Sequence, residues 1–304
     1  MPKICYKAKK FRAPSLDIIN KANAIIDEFQ GQGFTLTLRQ LYYQFISRDF
    51  LPNTSKSYDN LGAIINAARL AGLIDWSSIE DRTRNLCSLP HWENASSILQ
   101  DTATQFQFDL WEDQDYYLEV WIEKDALVGV IASICESYDV PYLSCRGYTS
   151  QSEMWAASQR LIDRELAGKN TVIIHLGDHD PSGIDMTRDI QDRLALFEST
   201  VRVERIALTW DQIEEYSPPP NFAKSTDARF TNYEDKYGNE SWELDALEPG
   251  VIVSLVESSV EYYLDFDRWE KALAKRDTIR SDLNLIANKY DQVSDFINRR
   301  RIRL

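Results

Sequence analysis

Apolar residues recur at helical spacing from the start of the chain. Leu16, Ile19 and Ala22, then Ile25, Ile26 and Phe29, mark one buried stripe over residues 15–29. The run "GQG" ends it. Thr37 with Gln40 forms a capping box that opens a second helix. A third helix over 57–70 is predicted to bury Leu61, Ile64, Ile65 and Ala68 and to stop at Gly72. "LIDWSSIEDRTRNL" follows as a strand or wing. Three helices and a wing outline a winged helix-turn-helix domain over residues 1–95. Residues 96–115 are acidic and aromatic with weak periodicity, and they read as a linker with a short helix beside it.

The period then changes. "YYLEVWIE", "VPYLSC", "TVIIHLGD" and "VRVERIALT" are strand-like runs. Helical runs separate them, beginning at "DALVGVIASICESY", "QSEMWAASQRLIDREL" and "PSGIDMTRDIQDRLALF". Strands alternating with helices predict an α/β domain with a parallel sheet, here over 116–304, closed by a helical C-terminal elaboration. "SPPP" interrupts the pattern before that elaboration. The segment "ARFTNYEDKYGNESWELDALEPG" is dense in aromatics and acids, and packing against the sheet or at a dimer contact is its default reading.

In open α/β sheets ligands sit beyond the carboxyl ends of the strands. The first strand ends at Glu123 and the third at Asp178 and Asp180. If those strands are neighbours, three carboxylates meet in one crevice. Their repulsion calls for a cation, and hard oxygen donors suit Mg²⁺. Asp180 before Pro181 is also a good helix cap followed by proline at the first helical position. No G-x-G-x-x-G follows the first strand, and no P-loop is present. His175 and His179 flank the acids but make a poor zinc set.

A strand-terminal Glu followed two strands later by Asp-x-Asp-Pro-x-Gly resembles a Toprim domain. With the preceding helices, the chain resembles the topoisomerase VI A subunit and meiotic double-strand-break transesterase family. Its "DxDPxG" run is matched by Asp178, Asp180, Pro181 and Gly183. Its Arg-x-x-aromatic-Tyr run is matched in "LRQLYYQF" by Arg39, Tyr42 and Tyr43. The resemblance implies Tyr43 as the nucleophile, Arg39 beside it, and Mg²⁺ on Glu123, Asp178 and Asp180. It implies cleavage and rejoining of double-stranded DNA by a homodimer, the tyrosine of one subunit facing the metal of the other. It also implies either a separate ATPase B-like subunit or a stand-alone mini-A protein of phage or mobile-element type. A Toprim nuclease using water, and a silent DNA-binding protein on the same scaffold, are the alternatives.

Helical geometry places Leu38, Leu41, Tyr42 and Phe45 on one face and Tyr43 outside it, next to Arg39. The polar side of the third helix offers Asn66 and Arg69 to DNA. The net charge of −14 requires a concentrated basic groove for such a partner. No apolar run reaches the length of a membrane span. Four unpaired cysteines and the lack of a signal-peptide core fit a cytoplasmic, nucleoid-associated or phage-host location.

Overall fold

In a computed structural model of the chain, residues 3–80, 89–222, 227 and 229–301 are described. Helices α1 (Ala13–Gly31), α2 (Leu38–Ser47) and α3 (Ser55–Leu70) come first, then α4 (Ala95–Gln105). The alternating region runs β1 (Tyr116–Ile122), α5 (Val128–Ser137), β2 (Tyr142–Ser144), α6 (Gln151–Leu166), β3 (Asn170–Leu176), α7 (Pro181–Leu196) and β4 (Arg202–Ala207). After it come α8 (Trp210–Tyr216), β5 (Asn221–Phe222), α9 (Phe230–Tyr237), β6 (Glu240–Ser241) and three helices, α10 (Pro249–Tyr262), α11 (Phe266–Asn288) and α12 (Tyr290–Arg301). The chain is mixed α/β around one four-stranded parallel sheet in the order β2-β1-β3-β4.

Each early boundary has a local cause. Thr37 accepts from the Gln40 N–H while the Gln40 side chain accepts from the Thr37 N–H, so the expected capping box is present at α2. Thr54 caps α3 in the simpler way, accepting from the Ser57 N–H. The stripe of α1 (Ile19, Ala22, Ile25, Ile26, Phe29) packs with Leu41, Phe45, Leu61 and Ile65 in one apolar core. Full burial of each large side chain there stabilises by about 1.5–3 kcal/mol. Ala246, from a short 3₁₀ turn at Leu244–Ala246, belongs to the same core. The described part of the expected wing, residues 73–80, holds turns and a single parallel bridge from Leu36 to Ile79. Residues 81–86 of that expectation lie outside the described residues.

The domain boundaries differ from those expected. The chain divides into one unit comprising Met1–Arg84 with Leu118–Tyr262, and another comprising Asn85–Tyr117 with Tyr263–Leu304. The helical region and the sheet therefore belong to one compact unit. The first half of the expected linker 96–115 lies in α4, and the stretch belongs with the C-terminal helices. There Ser96 Oγ donates to the Ala287 carbonyl (2.8 Å), and Arg280 Nε donates to the Phe106 carbonyl (2.9 Å). Gln114 and Asp265 exchange two hydrogen bonds, the side chain of one with the backbone of the other. The weak periodicity of this stretch reflects partners more than 150 positions away in sequence.

Candidate active-site cleft

β1 and β3 are neighbours, so the acids at their ends meet. The Glu123 N–H donates to the Leu176 carbonyl (2.8 Å), and the Asp178 N–H donates to Glu123 Oε2 (2.9 Å). The glutamate side chain thus continues the ladder between the two strands. Asp180 stands in extended backbone (φ −137°) and caps α7, its Oδ1 accepting from the Gly183 N–H at 2.6 Å. A Cβ on Gly183 would lie 2.2 Å from the Asp178 carbonyl oxygen, and one on Gly177 would lie 2.9 Å from Glu123 Oε2. Both glycines allow the backbone to approach the acids closely.

Behind the acids lies Arg205 on β4. Its guanidinium donates to the Gly177, Asp178 and Gly183 carbonyls (2.8, 2.6 and 2.9 Å). His175 is buried under it, its Nδ1 2.9 Å from Thr187 Oγ1. Burial, reinforced by Arg205, lowers the His175 pKa to about 3. His179 points away from Asp178 and Asp180 into a box of Trp210, Tyr233, Tyr237 and Trp242. Its backbone bridges to Trp242, and its Nδ1 meets the Tyr233 hydroxyl at 2.9 Å. Burial lowers its pKa to about 4. Both rings are structural and neutral near pH 7.

The aromatic and acidic segment thereby acquires a role. It closes the box over His179 and carries Glu243, Leu244 and Asp245 back to the strand ends. The Leu244 N–H donates to Asp178 Oδ1 (2.7 Å). Lys124, directly after Glu123, places its Nζ 3.0 Å from Asp178 Oδ1, 2.9 Å from Glu243 Oε2 and 3.3 Å from Asp245 Oδ2. Arg39 on α2 pairs with Glu243 through its fork and reaches Asp245 Oδ2 at 3.4 Å. Burial raises the pKa of Asp178 to about 7, and the Glu123 charge adds to that rise while Lys124 opposes it. Glu123 is also raised, first by burial. Glu243 is lowered: burial pushes it up, but Lys124 and Arg39 outweigh that.

Tyr43 lines this same cleft of about 760 Å³, together with Arg39, Glu123, Lys124, Asp178 and Asp180. The Arg39 guanidinium carbon is 5.9 Å from the Tyr43 ring centre, so the expected neighbourhood of these two side chains is present. The exposure expected for Tyr43 is corrected. It is 3% exposed, because α2 is covered from Gln40 to Ile46 on both sides rather than along one stripe. Asn221 supplies part of that cover, its Nδ2 donating to the Tyr43 hydroxyl (3.2 Å) and to Glu243 Oε1 (3.3 Å). Burial, then the Glu243 charge, pushes the Tyr43 pKa up to about 12. Tyr43 lines the same cleft as the acids of its own chain.

The expected DNA-contacting residues of α3 lie elsewhere. Asn66 is exposed and does not line the cleft. Arg69 is half-buried, donating to the Trp76 and Ile79 carbonyls (2.6 and 3.2 Å) and stacking on Trp76. It fastens the loop after α3.

As they stand, no three His, Cys, Asp or Glu side chains among the described residues are arranged to hold a metal ion. The donor set nonetheless suits Mg²⁺ in chemistry, being all carboxylate oxygen. Six acids (Glu123, Asp125, Asp178, Asp180, Glu243, Asp245) and three cations (Arg39, Lys124, Arg146) line the cleft, with Arg205 behind it, and the surplus of acids is one that a divalent ion would offset. Asp245 Oδ1 is buried without a hydrogen-bond partner.

No family model matches the chain, and no curated protein or solved structure matches it. Among the described residues no helix is long and apolar enough to cross a membrane.

Proposed function

We propose that this cleft binds double-stranded DNA and cuts it by transesterification, in the manner of a winged-helix and Toprim protein related to topoisomerase VI A. The reading is supported by one juxtaposition: Tyr43, Arg39 and the acids Glu123, Asp178 and Asp180 line a single cleft. Tyr43 Oη attacks a backbone phosphorus, a tyrosyl–phosphate bond forms, and the phosphorus–oxygen bond to the deoxyribose breaks. The tyrosyl proton passes to solvent as the attack proceeds, and the departing sugar oxygen takes a proton from solvent. Arg39 lies against the ring and offsets the charge that develops on the phenolate. Asn221 holds the hydroxyl oxygen. Glu123, Asp178 and Asp180 would hold Mg²⁺, which would stabilise charge on the phosphate. A double-strand break takes a homodimer, in which the tyrosine of one subunit faces the metal of the other.

A second reading is favoured by the burial of Tyr43 and its raised pKa. In it the acids direct water onto the phosphate and Tyr43 is a wall of the cleft. Supercoiled DNA with Mg²⁺, quenched by detergent with and without protease, separates the two. Protein-linked breaks that vanish in Tyr43→Phe support transesterification. Protein-free breaks that persist in Tyr43→Phe overturn it in favour of hydrolysis. Binding without cutting identifies a silent scaffold.

A further inference from the structure

We propose that Arg39, Lys124 and Asn221 form the binding site for one DNA phosphodiester, and that the Glu243 carboxylate occupies it in the free protein as a tethered phosphate mimic. The inference rests on the proposed function for the identity of the ligand. Both oxygens of that carboxylate are gripped. Arg39 presents its guanidinium fork, with Nε 3.1 Å from Oε2 and Nη2 2.5 Å from Oε1. Lys124 Nζ donates to Oε2 at 2.9 Å, and Asn221 Nδ2 donates to Oε1 at 3.3 Å. Three side chains from distant parts of the chain thus hold one two-oxygen anion. Burial would raise the Glu243 pKa, but Lys124 and then Arg39 outweigh it, so the group is held ionised. A guanidinium fork grips carboxylates and phosphates through the same pair of parallel bonds. The two non-bridging oxygens of a phosphodiester match the two oxygens of Glu243.

The position of the grip puts such a phosphate within reach of the tyrosyl oxygen. Asn221 Nδ2 lies 3.2 Å from Tyr43 Oη and 3.3 Å from Glu243 Oε1, so hydroxyl and carboxylate share one donor. All of these residues line the same cleft. The exchange is balanced in charge, because a phosphodiester brings the one negative charge that Glu243 takes away. The donors stay aimed at the cleft when Glu243 leaves. Asp178 and Asp245 still pair with Lys124, and Asp245 still reaches Arg39. The consequence is a self-inhibited cleft. While Glu243 is seated, a phosphate cannot take the Arg39 fork. Burial, then the Glu243 charge, keeps Tyr43 protonated, and the second of these departs with Glu243.

Thymidylyl-thymidine, which carries a single phosphodiester, is titrated by calorimetry against the metal-free full chain and its variants. Glu243→Gln keeps the shape and loses the charge. It binds the probe about tenfold or more tighter than wild type, as expected of a site otherwise free in about a tenth of molecules or fewer. Thymidine, which lacks the phosphate, gains nothing. Adding Arg39→Gln abolishes the gain. Asp180→Asn removes one negative charge from the same cleft without touching the three donors. Its gain stays below about threefold, because solvent screens a charge that makes no contact with the ligand. Melting curves identify which variants are folded. If Glu243→Gln is not, Glu243→Asp replaces it, since it keeps the charge but falls one methylene short of the grip, and it too must gain. An unchanged affinity in a folded Glu243 variant, a gain equalled by Asp180→Asn, or a gain that survives Arg39→Gln overturns the inference. DNA cutting without that gain defeats this inference alone. The gain in a protein that never cuts DNA defeats the proposed function alone.

Discussion

Asp180 has two roles that separate by substitution. Its Oδ1 caps α7, and the same carboxyl group faces the cleft. Asp180→Ala removes both. Losing the cap costs about 1 kcal/mol, within a range of roughly 0.5–2. That lowers Tm by about 2–4 °C for a domain of this size. Asp180→Asn keeps the cap, since Asn and Asp cap equally well. It forgoes the attraction of a negative charge to the helix N-terminus, worth about 0.3–1 kcal/mol. It also ends the repulsion with Glu123, whose pKa Asp180 helps to raise. These two changes oppose each other, so the stability of Asp180→Asn stays within about 0.5 kcal/mol of wild type. Cutting falls in both variants by about 100-fold or more, the rate equivalent of roughly 3 kcal/mol of lost transition-state stabilisation. Urea unfolding and the supercoiled-DNA assay on both proteins supply the readings. Asp180→Asn cutting at the wild-type rate would reduce Asp180 to a cap. Asp180→Asn as destabilised as Asp180→Ala would refute the capping account.

Arg69→Met is expected to cost about 1–3 kcal/mol through the freed carbonyls of Trp76 and Ile79, while the salt dependence of DNA binding stays unchanged. A slope reduced by about 1 would return Arg69 to the phosphate contacts. The buried histidines make stability depend on pH. The His175 pKa falls from 6.5 to about 3 on folding, so its contribution is complete above about pH 6.5 and is lost as pH falls below that. By pH 3 the loss is roughly 4 kcal/mol. Asp178, raised on folding, acts in the opposite sense between about pH 4 and 7. The comparison of wild type with His175→Gln by denaturant unfolding between pH 7 and 4.5 leaves the Asp178 contribution in both. The wild type loses more stability over that interval, and equal slopes would refute the account.

Much of the sheet region was legible because its causes are local. The strand at 170–176, the Asp180 cap and the proline at the start of α7 all follow from residues within a few positions of one another. The meeting of Glu123 with Asp178 and Asp180 was legible as a consequence of strand adjacency. The rest of the cleft depends on distant partners. Nothing local in the sequence marks Lys124, because its carboxylates at 243 and 245 lie about 120 residues away. The sequence signal for them is "WELDAL", where acids alternate with apolar residues. Trp242, Leu244 and Ala246 are buried, and the acids between them turn back to the strand ends. Tyr43 was misjudged for a related reason. A helical wheel assumes one covered face, and α2 has a second cover formed by residues far along the chain. The boundary expected at 95 failed because the helical region and the sheet share one compact unit.

The order of synthesis gives the anchoring of Asp178 a temporal meaning. The amide that fixes its carboxylate, on Leu244, comes 66 residues later, and the tryptophan that bridges His179 comes just before it. At ordinary ribosomal speeds that interval is on the order of 3–13 s. During it both strand ends exist, but Asp178 lacks its Leu244 anchor and Lys124 lacks Glu243 and Asp245. A nascent chain therefore carries a chemically incomplete cleft, completed only after Asp245 has emerged. Under the proposed function, that delay keeps a nascent chain from acting on DNA before its cleft is complete.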